Sequence, residues 1–136
     1  MKSPGLIHRI KHFLEFFGKI SEEQWTQGRL VRFENGKFTM CALGHLGVEQ
    51  ENQLNPEGQE LCELLFPVAQ QAGLVTTVET TIPYWTVTAI NDTGKHNPHP
   101  LGNNPRTRIL TALRQRLEME TENEITQHHS SDQTLP

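Results

Sequence analysis

Apolar residues return at helical spacing in three separate stretches of this 136-residue chain, and nothing else in it limits the fold as strongly. Leu6, Ile7, Ile10, Phe13, Leu14 and Phe17 line one face of a helix predicted over residues 5–17 and closed by Gly18. Asn55-Pro56 supplies a cap and a first-turn proline ahead of Leu61, Leu64, Leu65, Val68 and Ala69, so a second helix is expected over 56–72, with Pro67 a candidate kink and Gly73 the stop. Asn104-Pro105 opens a third over 105–118, with Ile109, Leu110, Ala112, Leu113 and Leu117 inward and Arg106, Arg108, Arg114 and Arg116 outward or at the rim. Amphipathic helices can shed such stripes only against one another, and a chain of this length suits one core. The expected fold is mainly α: a small single helical domain with a minor β-hairpin or small sheet.

The segments between carry shorter signals. Ser21-Glu22-Glu23-Gln24 has the form of a capping box, predicting a short helix over 21–28 that carries Trp25. Asn35-Gly36 supplies the positive-φ pair of a two-residue turn, which predicts a hairpin over 30–40. Residues 41–48 follow as a short buried helix, in which Gly44 and Gly47 each cost about 1 kcal/mol and imply close backbone packing. Residues 74–90 admit two readings: strands at 74–78 and 85–90, or a helix started by Thr81-Ile82-Pro83 with Trp85 and Ala89 inward. Residues 91–104 form a loop by every local signal, and long loops inside a compact domain are usually functional or mobile.

Only 35% of the residues are hydrophobic, so part of the chain is expected outside the core: residues 1–118 as the globular domain, 119–136 as an acidic disordered tail. Charge is unevenly spread. No Lys or Arg falls between Lys37 and Lys95, whereas Lys95, Arg106, Arg108, Arg114 and Arg116 follow without an intervening acid. A long duplex would meet the acidic middle, which excludes extended nucleic acid as a partner while leaving room for a small anion at the basic patch. No apolar run reaches the ~20 residues that cross a bilayer, and residues 1–18 mix basic residues into their apolar ones, unlike a signal peptide. Two cysteines, Cys41 and Cys62, make no disulfide framework. A cytoplasmic protein with no membrane partner is expected.

Three groups have the makings of chemistry. Cys41 opens a helix, where free N–H groups and the positive end of the dipole favour a thiolate. His45, one turn on, would be its base, and Asn91, Asp92, His96 or His99 would orient that base. The commoner use of a free cysteine is as a small apolar filler, which is the expected role of Cys41 and of Cys62. Asn91-Asp92 either closes an Asx turn, the expected role, or accepts from the N–H groups at the start of the Cys41 helix or from a ligand hydroxyl. The third group combines Gly94, Lys95, His96, His99, Asn103, Asn104, Arg106 and Arg108 with a helix start: the parts of a phosphate or carboxylate site, although no P-loop spacing is present. An ordinary solvated basic helix face has the same composition. His8 and His12, at i, i+4 beside Glu15, read as a solvated face, so neither metal nor cofactor is expected.

Cys41-Ala42-Leu43-Gly44-x-Leu46, preceded by Trp25 and Gln27 and followed by Ile90-Asn91-Asp92 and a helix with Ile109 and Leu113, resembles a small uncharacterised domain family of bacterial and phage proteins. That family's pattern runs Trp-x-Gln, Cys-Ala-Leu-Gly-Ala-Leu, Trp-Asn-Asp, then a helix opening with Thr. The resemblance spans residues 6–117 and implies a mainly helical domain in which the Cys-Ala-Leu-Gly helix lies beside the Asn-Asp turn; it implies no activity. His45 stands where the family has Ala, and Ile90 where it has Trp, which counts against a shared cysteine mechanism.

The function expected from these residues is a non-enzymatic binding or regulatory module, phage-type or accessory. It would hold an anionic small ligand or an acidic protein surface through Lys95, His96, Asn103, Asn104, Arg106 and Arg108. The alternative is a cysteine-dependent hydrolase or transferase with Cys41 as nucleophile, His45 or a loop histidine as base and Asp92 as orienter. A third reading is a homo-oligomer subunit whose exposed apolar face pairs with its copy.

Overall fold

The computed structural model describes residues 3–76, 81–94 and 96–134, without the side chains of 3, 4 and 123–134. Five helices and one hairpin follow in order: α1 (Ser3–Gly18), β1 (Val31–Glu34), β2 (Lys37–Met40), α2 (Ala42–His45), α3 (Pro56–Gln71), α4 (Thr86–Asn91) and α5 (Pro105–Thr134). The expected class holds: a small, mainly α domain with a minor two-stranded sheet. Helices α1 and α3 both pack on α5, and the short α2 and α4 fill the space between them. Ile10, Phe13 and Phe17 meet Leu61, Leu65, Val68, Ile109 and Leu113 in the core, completed by Leu43 of α2 and Val87 and Ile90 of α4.

Helices α3 and α5 start as expected and for the expected reasons, while α1 begins at Ser3, two residues ahead of the expected start. The Asn55 side chain accepts the Gly58 N–H at 2.8 Å, and the Asn104 side chain accepts that of Thr107 at the same distance. Pro67 sits inside α3, whose helical span is unbroken. Helix α5 does not stop at 118 but keeps helical backbone to Thr134. No Gly or Pro interrupts that stretch, and Arg116 pairs with Glu120 one turn on.

Elsewhere tertiary contacts override local signals. The capping box forms, with the Ser21 N–H on the Gln24 side chain at 3.3 Å, but the helix expected over 21–28 is one 3-10 turn, Glu22–Gln24. Trp25 turns extended and buries its indole, and the Thr26 N–H goes to the Met40 carbonyl at 3.1 Å. Helix 41–48 shortens to four residues. A Cβ at Gly44 would collide with the Leu30 carbonyl oxygen, which is the expected close packing; Gly47 instead ends the helix with φ +87°. For 74–90, the strand reading fails at 85–90, where α4 runs. Its fully buried face is Thr86, Val87, Ile90 and Asn91; Ala89 and Ile82, also candidates for the inner face, pack partly buried against the core, whereas Trp85 is exposed. Residues 77–80 lie outside the described residues.

Candidate functional site

The start of α5 does not present its arginines to a ligand. Arg106 donates to the Gly18 carbonyl at 2.8 Å and the Ile20 carbonyl at 2.9 Å, covering the C-terminal end of α1. Arg108 is 1% exposed. Its Nε donates to the Ile90 and Asn91 carbonyls, both at 3.1 Å, its Nη2 to Asn91 O and Gln27 Oε1, both at 2.6 Å, and its Nη1 to Gly102 O at 3.2 Å. Burial pulls its pKa down and the Asp92 charge works against that pull. The Arg108 guanidinium is thus satisfied within the protein by the end of α4, Gly102 and Gln27, so Arg108 lies inward and caps a helix instead of presenting its donors to a ligand; Arg106, half-buried at the rim, caps the end of α1 through Nε and Nη2. Arg116 likewise reaches the Leu64 carbonyl at 2.7 Å, while Arg114 is exposed.

The rest of that group does not converge either. Asn104 caps α5 and Asn103 is exposed. The His99 Nδ1 accepts the Leu101 N–H at 3.0 Å, so its Nε2 carries the proton that meets the Ala89 carbonyl at 3.1 Å. Burial holds the His99 pKa below its ordinary value, helped by Arg108 and His96 and opposed by the Ala89 carbonyl. His96 is half-buried, its ring centroid 6.3 Å from that of His99. Lys95 lies outside the described residues.

Cys41 stands at the N-cap of α2 but is 5% exposed. Burial pushes its thiol upward more than the Gly44 and Leu43 amides lower it, leaving a neutral thiol. His45 turns away. Its Nε2 meets the Gln24 carbonyl at 3.1 Å, its ring sits edge-on to Trp25 at 5.0 Å, and burial lowers its pKa. No hydrogen bond joins the Cys41 thiol to the His45 ring among the described residues; the two meet only through the helical bond from the His45 N–H to the Cys41 carbonyl at 2.9 Å. Asn91 is fully buried: its Oδ1 accepts the Ala42 N–H at 3.0 Å, and its Nδ2 donates to the Thr26 carbonyl at 2.9 Å and to Asp92 Oδ1 at 2.8 Å. The acceptor at the start of the Cys41 helix is therefore the amide, with Asp92 bonded to it, and the Cys-Ala-Leu-Gly helix does lie against the Asn-Asp turn. The roles sketched for His45 as base and Asp92 as orienter have no geometry here. Cys62 is buried as well, its thiol pushed up to about 11 by desolvation.

What sequence reasoning missed is the exposure of the hairpin. The register Val31↔Met40, Arg32↔Thr39, Phe33↔Phe38 and Glu34↔Lys37 puts Val31, Phe33, Phe38 and Met40 on one face. Phe33 is 60% exposed and Phe38 65%, their ring centroids 4.6 Å apart; Val31 is exposed beside them. The opposite face is polar and tied down, with Arg32 donating to Thr26 Oγ1 at 3.1 Å and to Glu34 at 2.8 Å. The Cys41 N–H pairs with the Leu30 carbonyl at 3.1 Å. Alternation along the ladder then turns the main-chain groups of Val31 and Phe33 outward, where no partner meets them among the described residues. On the other edge Met40 is covered by Thr26. Along the open edge lies a groove of about 740 Å³, walled by Gly28–Val31 on one side, Glu49–Asn52 on the other, and Tyr84. The legible signal was the alternation Val31, Phe33 and Phe38, Met40 around Asn-Gly in a chain with no other secure strand.

Fold and surface define a small helical domain carrying an exposed aromatic hairpin. No known family, no curated protein and no solved structure matches the chain. Among the described residues, no helix is long and apolar enough to cross a membrane.

Proposed function

We propose that the protein is a small, non-enzymatic binding module that engages a protein partner through its hairpin. The observation that carries this is the exposed apolar face of Val31, Phe33 and Phe38. Two phenyl rings left more than half exposed forgo roughly 2–4 kcal/mol of burial, and two four-residue strands are marginal by themselves. A partner laid on that face recovers the burial and stiffens the hairpin. The buried neutral thiol of Cys41 supports a non-enzymatic reading over a cysteine enzyme. An anionic ligand at 94–108 is not part of the proposal, because Arg106 and Arg108 already donate to carbonyls. The Cys-Ala-Leu-Gly and Asn-Asp motifs support an accessory protein of bacterial or phage type, and the two free thiols support a cytoplasmic setting.

Photo-crosslinking in cells that express the protein tests this. With benzoylphenylalanine at position 33 or 38, discrete adducts are expected; with the same group at the exposed helix positions 63 or 114, none. Equal adduct patterns from all four positions refute the hairpin as the binding surface. An adduct of twice the protein's own mass makes the partner a second copy.

A further inference from the structure

A hairpin can meet a partner with its face or along its edge, and the edge of β1 opens into the 740 Å³ groove. One wall of that groove is the segment Gly28–Leu30 leading into Val31, the first residue of β1. The outward amide and carbonyl of Val31 face the open trough, and those of Phe33 continue the row past its end, a short template for another strand. The opposite wall sets the charge. Glu49 and Glu51 are exposed and take part in none of the ion pairs among the described residues. No Lys or Arg lies in the chain between Lys37 and Lys95, and Arg29 is the one cation lining the groove. The exposed Tyr84 ring and Val31 add apolar surface.

Building on the binding-module reading, we infer that this groove takes an extended segment of a partner protein, which adds to β1 as a third strand. Alternate residues of the segment are apolar, against Val31 and Tyr84, and basic, against Glu49 and Glu51. Main-chain hydrogen bonds supply affinity, and the two carboxylates select lysine or arginine over acidic residues.

Synthetic seven-residue peptides that alternate Val or Tyr with Lys provide the probe, and amide resonances of the intact protein provide the readout. The lysine peptide is expected to shift Val31 and Phe33. N-methylating one alternate set of its amides abolishes the shift while the other set is tolerated, since a strand pairs along one edge. The double variant E49Q/E51Q weakens binding roughly fivefold at low salt, the scale of two exposed charge contacts. A glutamate-for-lysine peptide that binds equally well overturns the proposal, as does indifference to both N-methyl sets or the absence of any shift at millimolar peptide. Binding that F33S/F38S abolishes but N-methylation leaves intact sinks strand addition while the face-binding module stands. A dimer by light scattering, with the Val31 and Phe33 amides protected in its interface, gives the groove to a second copy and overturns the basic segment.

Discussion

Replacing Arg108 with methionine keeps most of the side chain's apolar stem and removes its donors from a site that is 1% exposed. Four acceptors lose their partner: the carbonyls of Ile90, Asn91 and Gly102 and the Gln27 side chain. Gln27 is exposed and its Oε1 also meets Thr93 Oγ1 at 3.3 Å, and Gly102 is half-exposed, so water re-satisfies both. The Ile90 and Asn91 residues are fully buried, and each stranded acceptor there costs about 1–3 kcal/mol. Methionine relieves the cost of burying a charge, but the two buried carbonyls it strands together cost about 2–6 kcal/mol. The net expectation is a loss of about 3 kcal/mol, or roughly 10 °C in Tm for a chain of this size. Arg106→Ala, which uncovers the Gly18 carbonyl and leaves that of Ile20 to the Trp25 indole N–H, should lose about 1 kcal/mol. Urea unfolding followed by circular dichroism measures both. An anion site behaves oppositely: there R108M leaves the free protein as stable or more so and abolishes stabilisation by added phosphate. A loss below about 1 kcal/mol at unchanged m-value would refute the capping account.

Three further outcomes follow from the same geometry. Iodoacetamide near neutral pH should leave Cys41 unmodified in the folded protein and react at the rate of unfolding, as read by mass spectrometry; rapid labelling of the folded form would restore the nucleophile. His99, whose pKa burial holds low, binds fewer protons folded than unfolded. Its stabilising contribution is therefore complete above about pH 6.5, its unfolded pKa, and is lost as pH falls through the lower folded value; H99Q should flatten that decline in a urea series between pH 7 and 5, and an unchanged slope would count against the neutral buried imidazole. Gly44→Ala should destabilise by more than about 2 kcal/mol, since the Leu30 carbonyl and Met40 Cβ leave no room, whereas Gly47→Ala meets only Asn55 Nδ2 at 3.7 Å and loses about 1 kcal/mol to its positive φ. Equal losses would mean that the α2–hairpin packing is looser than described.

The parts of this fold legible in the sequence are those that one segment decides alone. A 3.6-residue stripe identifies α1, α3 and the first half of α5 because it repeats over several turns, and Asn35-Gly36 identifies the hairpin because the turn itself demands positive φ, 52° and 75° here. Trp25 shows where that logic stops. Its capping box is real, but burying an indole between Phe17 and His45 outweighs one more turn of helix. Segment 85–90, rich in β-branched residues, is helical because α3 and α5 offer Val87 and Ile90 a helix-shaped berth, which no local propensity encodes. The exposed hairpin face was hidden for a related reason: alternation shows that one face is apolar, and only the surrounding fold shows that nothing among the described residues covers it.

The arginines make the limit sharpest. A guanidinium beside a helix start and a His- and Asn-bearing loop is the chemistry of an anion site, and a charge count along the chain reads the basic patch as awaiting a negative partner. Its partners are already inside the protein, but they are dipoles rather than charges. Helix α5 begins where α1 and α4 end, so Arg106 and Arg108 meet the carbonyls of Gly18, Ile90 and Asn91 at the negative ends of two helices, and Arg106 also the Ile20 carbonyl just beyond α1. Such ends carry no formal charge and appear in no sequence tally. Arg106 and Arg108 are therefore engaged by topology, which turns residues expected to recognise something else into the ties that hold three helix ends together. The hairpin's aromatic face and open edge have no such internal partner among the described residues, which is why the proposed binding surface lies there and not at the arginines.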